Sequence, residues 1–186
     1  MNTLFIDTHL WDIIIVLLHD GLVVKKEEVK NRKNNSEYIF PSIVKVIDGI
    51  KLDEIIVVNG PGSFTGVRLG VTIAKTLAYT LNIPIKTITA LEVMAVSNEK
   101  KHVAFSDNNG YYVGVFDNNK TLIGDYSYVS DEEFAKLNKD NTYSLDYNVD
   151  AEKIYEFLKT KEPENAHQVK PVYIKKIGVE LDKKSN

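Results

Sequence analysis

The chain has 186 residues, of which 44% are apolar and 26% charged, enough for one ordinary domain or two small lobes with a real core. Its 23 basic and 26 acidic residues leave a net charge of −3, which argues against a free-standing nucleic-acid binder that neutralises phosphates over its whole surface. The absence of cysteine excludes a disulfide framework, a thiol nucleophile and a cysteine-ligated metal, and the longest wholly apolar run, Ile13 to Leu18, is far below the roughly 20 residues of a membrane helix.

Leu4 to Thr8, Trp11 to Leu18 and Leu22 to Val29 read as three short strands, the last two joined at His19-Asp20-Gly21. The chain therefore opens on a β-meander whose first strand ends in an acid, Asp7, a residue that caps turns readily. Lys25 to Lys33 carries five basic and two acidic residues, and Asn31 to Asn35 reads as a loop. Ser36 opens a helix in which Ile39, Phe40, Ile43, Val46, Ile47 and Ile50 recur at spacings of three and four. Pro41 lacks the amide proton of the helix ladder, so the regular part starts either at Ser36 or only at Pro41. Glu54 to Val58 is a β-branched strand of the kind buried on both faces. Helical periodicity follows a glycine-rich turn and runs to about Leu81, where Asn82 and Pro84 stop it, and Ile83 to Ile88 gives another strand. Strand, helix and strand make a crossover unit.

Thr89 and Glu92 have the spacing of a capping box for a short helix to about Val96, and Lys100-Lys101 marks the expected boundary between a lobe at 1–99 and a second at 100–186. The second half restarts with strands at His102 to Ser106, Tyr111 to Phe116 and Leu122 to Val129, a second meander. Ser130 and Glu133 form another capping box, for a helix to about Leu137, and Ala151 to Leu158 is a further helix. From Thr160 the chain is polar and lysine-rich apart from Val172-Tyr173-Ile174, and is either loose or docked.

The most informative segment is Gly60-Pro61-Gly62-Ser63-Phe64-Thr65-Gly66-Val67-Arg68-Leu69-Gly70. A glycine-rich turn between a strand and a helix first points to phosphate binding through backbone amides. Neither Gly60 nor Gly62 leads to the lysine of a P-loop, the dinucleotide spacing fails at Phe64-Thr65, and Ser63 follows Gly62 directly, unlike a nucleophile elbow. The loop residues Gly60, Pro61, Gly62 and Ser63 are read as structural, with Ser63 as helix N-cap. His9, His19, His102 and His167 show no i,i+3 or i,i+4 pairing, so no metal site is expected, and no catalytic residue or cofactor is assigned.

On a helical projection Arg68, Thr72, Lys75, Thr76 and Tyr79 share one side, and the apolar arc opposite spans roughly 200°, about twice that of a helix covering a single core. Gly66, Gly70, Ala74 and Ala78 recur every fourth residue, a ridge that allows close approach. Either the helix from Ser36 fills that ridge, or a partner protein does, or both. The residues expected at a partner interface are Phe64, Gly66, Val67, Gly70, Val71, Ala74 and Ala78, with Ile39 and Ile43.

The eleven-residue glycine segment, followed by Ala74-Lys75 and Leu77-Ala78, resembles the signature of the TsaB (YeaZ) family, bacterial proteins required to make threonylcarbamoyladenosine in tRNAs that read ANN codons. Ile6-Asp7-Thr8, Ser36-Glu37 with Pro41, and Pro171-Val172-Tyr173-Ile174 support the likeness, which is strong over the first hundred residues. The resemblance implies an α/β actin-like, Hsp70-like fold of two lobes, the second reduced. It also implies a non-catalytic cytoplasmic scaffold that pairs through helices with a TsaD-like transferase. A TsaE-like ATPase joins, tRNA is met only indirectly, and no membrane is involved. TsaD-like proteins carry a His-x-x-x-His metal pair before the first helix, where this chain has Asn31-Arg32-Lys33-Asn34-Asn35. It also departs from relatives at His9-Leu10-Trp11, in the place of a small polar pair, and at Asp107 to Tyr112, which lacks the usual arginine and glutamate. A homodimer through the same helix face, and a self-sufficient actin-like ATPase, kinase or glycoprotease-type peptidase, are the competing expectations.

Overall fold

The structure, a computed structural model, describes residues 1–30, 36–107 and 109–174. The loop expected at Asn31 to Asn35 and the end of the lysine-rich tail lie outside the described residues. Three antiparallel strands, β1 (Asn2–Asp7), β2 (Ile13–His19) and β3 (Leu22–Val29), are followed by α1 (Ser36–Ile47). Next come β4 (Glu54–Val58), α2 (Phe64–Leu81), β5 (Ile85–Ile88) and α3 (Ala90–Ser97). These strands form one sheet in the order β3-β2-β1-β4-β5, with β4 parallel to both β1 and β5. That is the strand order of one actin-like lobe.

The alternation of side chains along β1 and β4 explains the unbroken apolar runs. Phe5, Ile56 and Val58 point into one core, while Leu4, Ile6, Ile55 and Val57 point into the other. Ile39, Ile43 and Val46 of α1 and Val67, Val71, Ala74 and Ala78 of α2 close the second core. Pro41 sits inside α1, which starts at Ser36 rather than at the proline; the buried stripe Ile39, Ile43 and Val46 holds the helix where the missing amide weakens it. Ser63 caps α2 by accepting from the Gly66 amide at 3.4 Å, and Asn82 ends the helix in the left-handed region at φ 52. Thr89 and Glu92 make both bonds of a capping box at α3.

The second sheet is a meander of β6 (His102–Asp107), β7 (Gly110–Val115) and β8 (Ser127–Val129), with α4 (Asp131–Leu137) against β7. The strand expected from Leu122 is interrupted: Leu122 makes only an isolated bridge to Phe116, Gly124 turns with φ 73, and regular pairing resumes at Ser127. Val103, Phe105, Tyr112 and Phe116 of this half share a core with Phe5, Val16 and Ile56 of the first sheet. Chain order and packing then part company, because α5 (Ala151–Leu158) returns to pack on α3, β2 and β3. The segment after it is docked rather than loose. The Glu164 amide donates to the Ile85 carbonyl at 2.8 Å, Val169 is buried, and the Val172 amide donates to the Asn59 carbonyl at 2.7 Å.

Candidate partner interface and glycine loop

The glycine loop leaves the end of β4 and meets the segment that leaves the end of β1. The Ser63 amide donates to the His9 carbonyl at 2.7 Å, and the Thr8 hydroxyl donates to the Gly66 carbonyl at 2.7 Å. A Cβ at Gly62 would stand 2.2 Å from the His9 carbonyl oxygen, and one at Gly66 2.2 Å from that of Thr8. On the other side the Ala90 amide donates to Gly60, and Val172 pairs with Asn59. The Ser63 amide and the Asn59 and Gly60 carbonyls are thus committed to this chain's own neighbours.

This geometry corrects the expected role of the small-residue ridge. Gly66 and Gly70 receive Thr8, whose hydroxyl oxygen lies where a Gly70 side chain would begin, and Ala74 and Ala78 are 0% and 1% exposed. Val67 and Val71, with Ile39 and Ile43, are likewise buried in the core beneath the two helices. Close approach is needed here, and the close neighbour is the end of β1. Of the residues expected at the interface only Phe64, 49% exposed, reaches solvent. The outward apolar side chains are instead Phe40 and Val44 on α1, at 57% and 54%, with exposed Pro41 between them. On α2 the half-buried stripe is Leu69, Ile73 and Leu77. The two helices lie side by side on the same face of the sheet.

A second cluster sits where β1 ends. Asp7 Oδ1 accepts from the His9 amide at 3.1 Å and lies 2.6 Å from His9 Nδ1, and Asp7 Oδ2 accepts from the Tyr147 hydroxyl at 2.7 Å. Burial alone would raise the Asp7 carboxyl, but the attraction of His9 and the hydrogen bonds from His9 and Tyr147 outweigh it and hold it below the ordinary aspartate value. The Tyr147 hydroxyl is pushed well above its usual range by burial and by Asp7. His9 is 1% exposed, and its Nε2 has no hydrogen-bond partner. Asp7 does cap a turn, as its residue type suggests. The contribution of Tyr147 carries no sequence signal at all. Among the described residues no group of three histidine, aspartate or glutamate side chains could hold a metal ion. No helix there is long and apolar enough to cross a membrane.

Comparison with known proteins gives these features a family. The family model described as "TsaD: tRNA N6-adenosine threonylcarbamoyltransferase" matches residues 34–163. The tRNA threonylcarbamoyladenosine biosynthesis protein TsaB of Buchnera aphidicola subsp. Schizaphis graminum is 30% identical over 148 residues, 73% of this chain and 69% of that protein. The chain belongs to the TsaB (YeaZ) family. TsaB of Bacillus subtilis is 38% identical over 102 residues, which cover 52% of this chain and 44% of the relative, so the match spans less than half of that TsaB. The solved structure of YeaZ from Pseudomonas aeruginosa superposes with a TM-score of 0.75 at 19% identity, covering 92% of this chain and 99% of that one. A second Pseudomonas aeruginosa structure, described as similar to peptidase YEAZ, gives 0.76 at 18% identity over 94% and 99%. At such identities the likeness establishes a shared TsaB fold.

The signals for the outward TsaB surface were present but ambiguous. Phe40 stands in the same periodic run as Ile39 and Ile43, which passes over Val44, and periodicity alone does not say which of two adjacent apolar residues faces the sheet. Tyr173, whose hydroxyl accepts from Arg68 Nε at 2.6 Å, lay in a segment without periodicity.

Proposed function

We propose that this chain is a non-catalytic scaffold or activating subunit in the biosynthesis of threonylcarbamoyladenosine in tRNA, pairing with a TsaD-like transferase. A TsaE-like ATPase joins that assembly, and tRNA is met only through it. The observation that carries the reading is the uncovered apolar side of α1. Phe40 and Val44 are 57% and 54% exposed one helical turn apart, and the neighbouring helix carries the half-buried stripe Leu69, Ile73 and Leu77. Two adjacent helices with i,i+4 stripes present grooves that a partner's helices fill. The non-catalytic part is supported by the glycine loop, where the Ser63 amide is committed to His9 and the space beside Gly62 is taken by the same carbonyl. Such a loop has no amide at Ser63 to spare for a phosphate.

The test is to mix this chain with the TsaD homologue of the same source and measure mass by light scattering. A complex burying at least about 1,000 Å² in total is expected at micromolar concentration. Phe40→Asp combined with Val44→Asp should abolish it while leaving the circular dichroism of the monomer unchanged. Failure of the unaltered chain to pair overturns the reading. Nucleotide turnover or peptide cleavage by the isolated, contaminant-free chain would replace it with a self-sufficient enzyme. A dimer of the chain alone, lost in the same double variant, would show this face meeting a second copy.

A further inference from the structure

Arg68 stands apart from the other cations of the fold. Its guanidinium carbon lies 3.6 Å from the centroid of the Phe64 ring and 5.5 Å from that of Tyr173, and its Nε donates to the Tyr173 hydroxyl at 2.6 Å. The two rings are 5.9 Å apart and inclined by 34°. One group is thus held on its flat side by an aromatic ring one helical turn away and at its Nε by a residue of the C-terminal strap. All three side chains are exposed, Phe64 by 49% and Tyr173 by 47%. Among the described residues no carboxylate pairs with Arg68, and both terminal nitrogens of the guanidinium lack an acceptor. A planar fork fixed in this way, with its edge unclaimed, matches a carboxylate in two-point geometry.

We propose that the Phe64–Arg68–Tyr173 stack, on the polar side of α2 near its N-terminal end, is a socket for a carboxylate side chain of the protein partner. This inference rests on the pairing reading and adds the polar contact that sets the register of the partner along α2. Arginine and tyrosine are among the residues enriched where binding energy concentrates at protein interfaces. A carboxylate is favoured over a nucleic-acid phosphate because the chain is net negative at −3 and its neighbour Lys75 already donates to the His167 carbonyl at 3.2 Å. A phosphate track needs several free cations in a row. The strap has a defined part in the site: the Val172 amide is bonded to the Asn59 carbonyl, and the next residue, Tyr173, accepts from Arg68 Nε.

The experiment is calorimetric titration of the full chain with the TsaD homologue at about 50 and 300 mM salt, where charge screening differs strongly. Arg68→Gln should weaken pairing roughly 10- to 100-fold at low salt and flatten the salt dependence. Arg68→Lys, which keeps the charge and loses the fork, should fall between, and Tyr173→Phe should cost a few-fold. Unchanged thermal unfolding checks that Arg68→Gln is folded; Arg68→Lys supplies the same test with a cation retained. Arg68→Gln with unaltered affinity and salt slope overturns the proposal. So does a loss confined to tRNA binding by the complex, since that would put a phosphate in the socket. If the chain pairs, the Phe40→Asp/Val44→Asp variant does not, and Arg68→Gln pairs normally, the pairing reading stands and the socket alone falls. If the unaltered chain does not pair, both fall.

Discussion

The Tyr147 hydroxyl donates to Asp7 Oδ2 at 2.7 Å across 140 positions of sequence, tying the segment before α5 to the end of the first strand. Asp7 is 2% exposed and also carries both bonds from His9, so its charge is compensated wholly from within. Because its folded value is depressed, this carboxylate contributes stability that is fully present above the ordinary aspartate value and is lost as pH falls through the folded one. Tyr147→Phe should lower unfolding free energy by about 1–3 kcal/mol at neutral pH, as expected when a buried charged acceptor loses a donor. Its stability should also fall less steeply below about pH 4. Urea unfolding followed across pH would check both; a variant as acid-sensitive as the parent would show that Tyr147 does not set the Asp7 value.

The contact of Thr8 with α2 predicts an unusual response to alanine. In most helices glycine to alanine stabilises by about 1 kcal/mol. Here Gly66→Ala would drive a Cβ to 2.2 Å from the Thr8 carbonyl oxygen, a backbone atom, and should destabilise by about 1–3 kcal/mol. Gly70→Ala meets the Thr8 hydroxyl instead, so its cost should shrink when combined with Thr8→Ala. A double-mutant cycle in denaturant measures that coupling.

Lys86 and Glu54 pair at 3.0 Å on adjacent parallel strands, with 6% and 4% exposure, and Lys86 also donates to the Leu158 carbonyl at 2.9 Å. Lys86→Met leaves a buried carboxylate without its cation and should cost about 3–5 kcal/mol. Adding Glu54→Leu should restore much of that loss. Thermal denaturation of the single and double variants separates the outcomes, and equal losses in both would show that the bond to Leu158 carries the effect.

Glu164 closes the open edge of β5. Its carboxylate accepts from the Thr87 amide at 3.1 Å and from the Thr87 hydroxyl, and its own amide bonds to Ile85. Glu164→Ala should reduce hydrogen-exchange protection of the Thr87 amide while leaving that of Val57, in the sheet interior, unchanged. Protection at Thr87 equal to the parent would mean that the main-chain bond is sufficient.

Much of this architecture was legible in the linear order of residues, because local rules govern those parts. Ser63, Thr89 and Ser130 sit at helix starts where a side-chain oxygen meets a free amide three residues on, and all three make that bond. The alternating and unbroken apolar runs placed β1, β2 and β4, and Asn82 marked the end of α2. Gly124 illustrates the limit: its positive φ breaks what reads as one strand from Leu122.

The residues alone determined that α2 carries a ridge of Gly66, Gly70, Ala74 and Ala78 and that something must approach it closely, since small side chains at every fourth position leave the backbone bare on one line. Only the tertiary structure decided that the approaching group is Thr8, 58 positions away from Gly66, and that the uncovered apolar surface lies at Phe40 and Val44. Helical periodicity fixes angles around one axis, whereas which side of that axis meets its own sheet depends on how distant segments cross. Whether the strap from Glu164 to Tyr173 is loose or docked was undecided in the sequence for a related reason. Main-chain bonds, one buried valine and an arginine on another helix hold it, and none of these leaves a repeating pattern in its sequence.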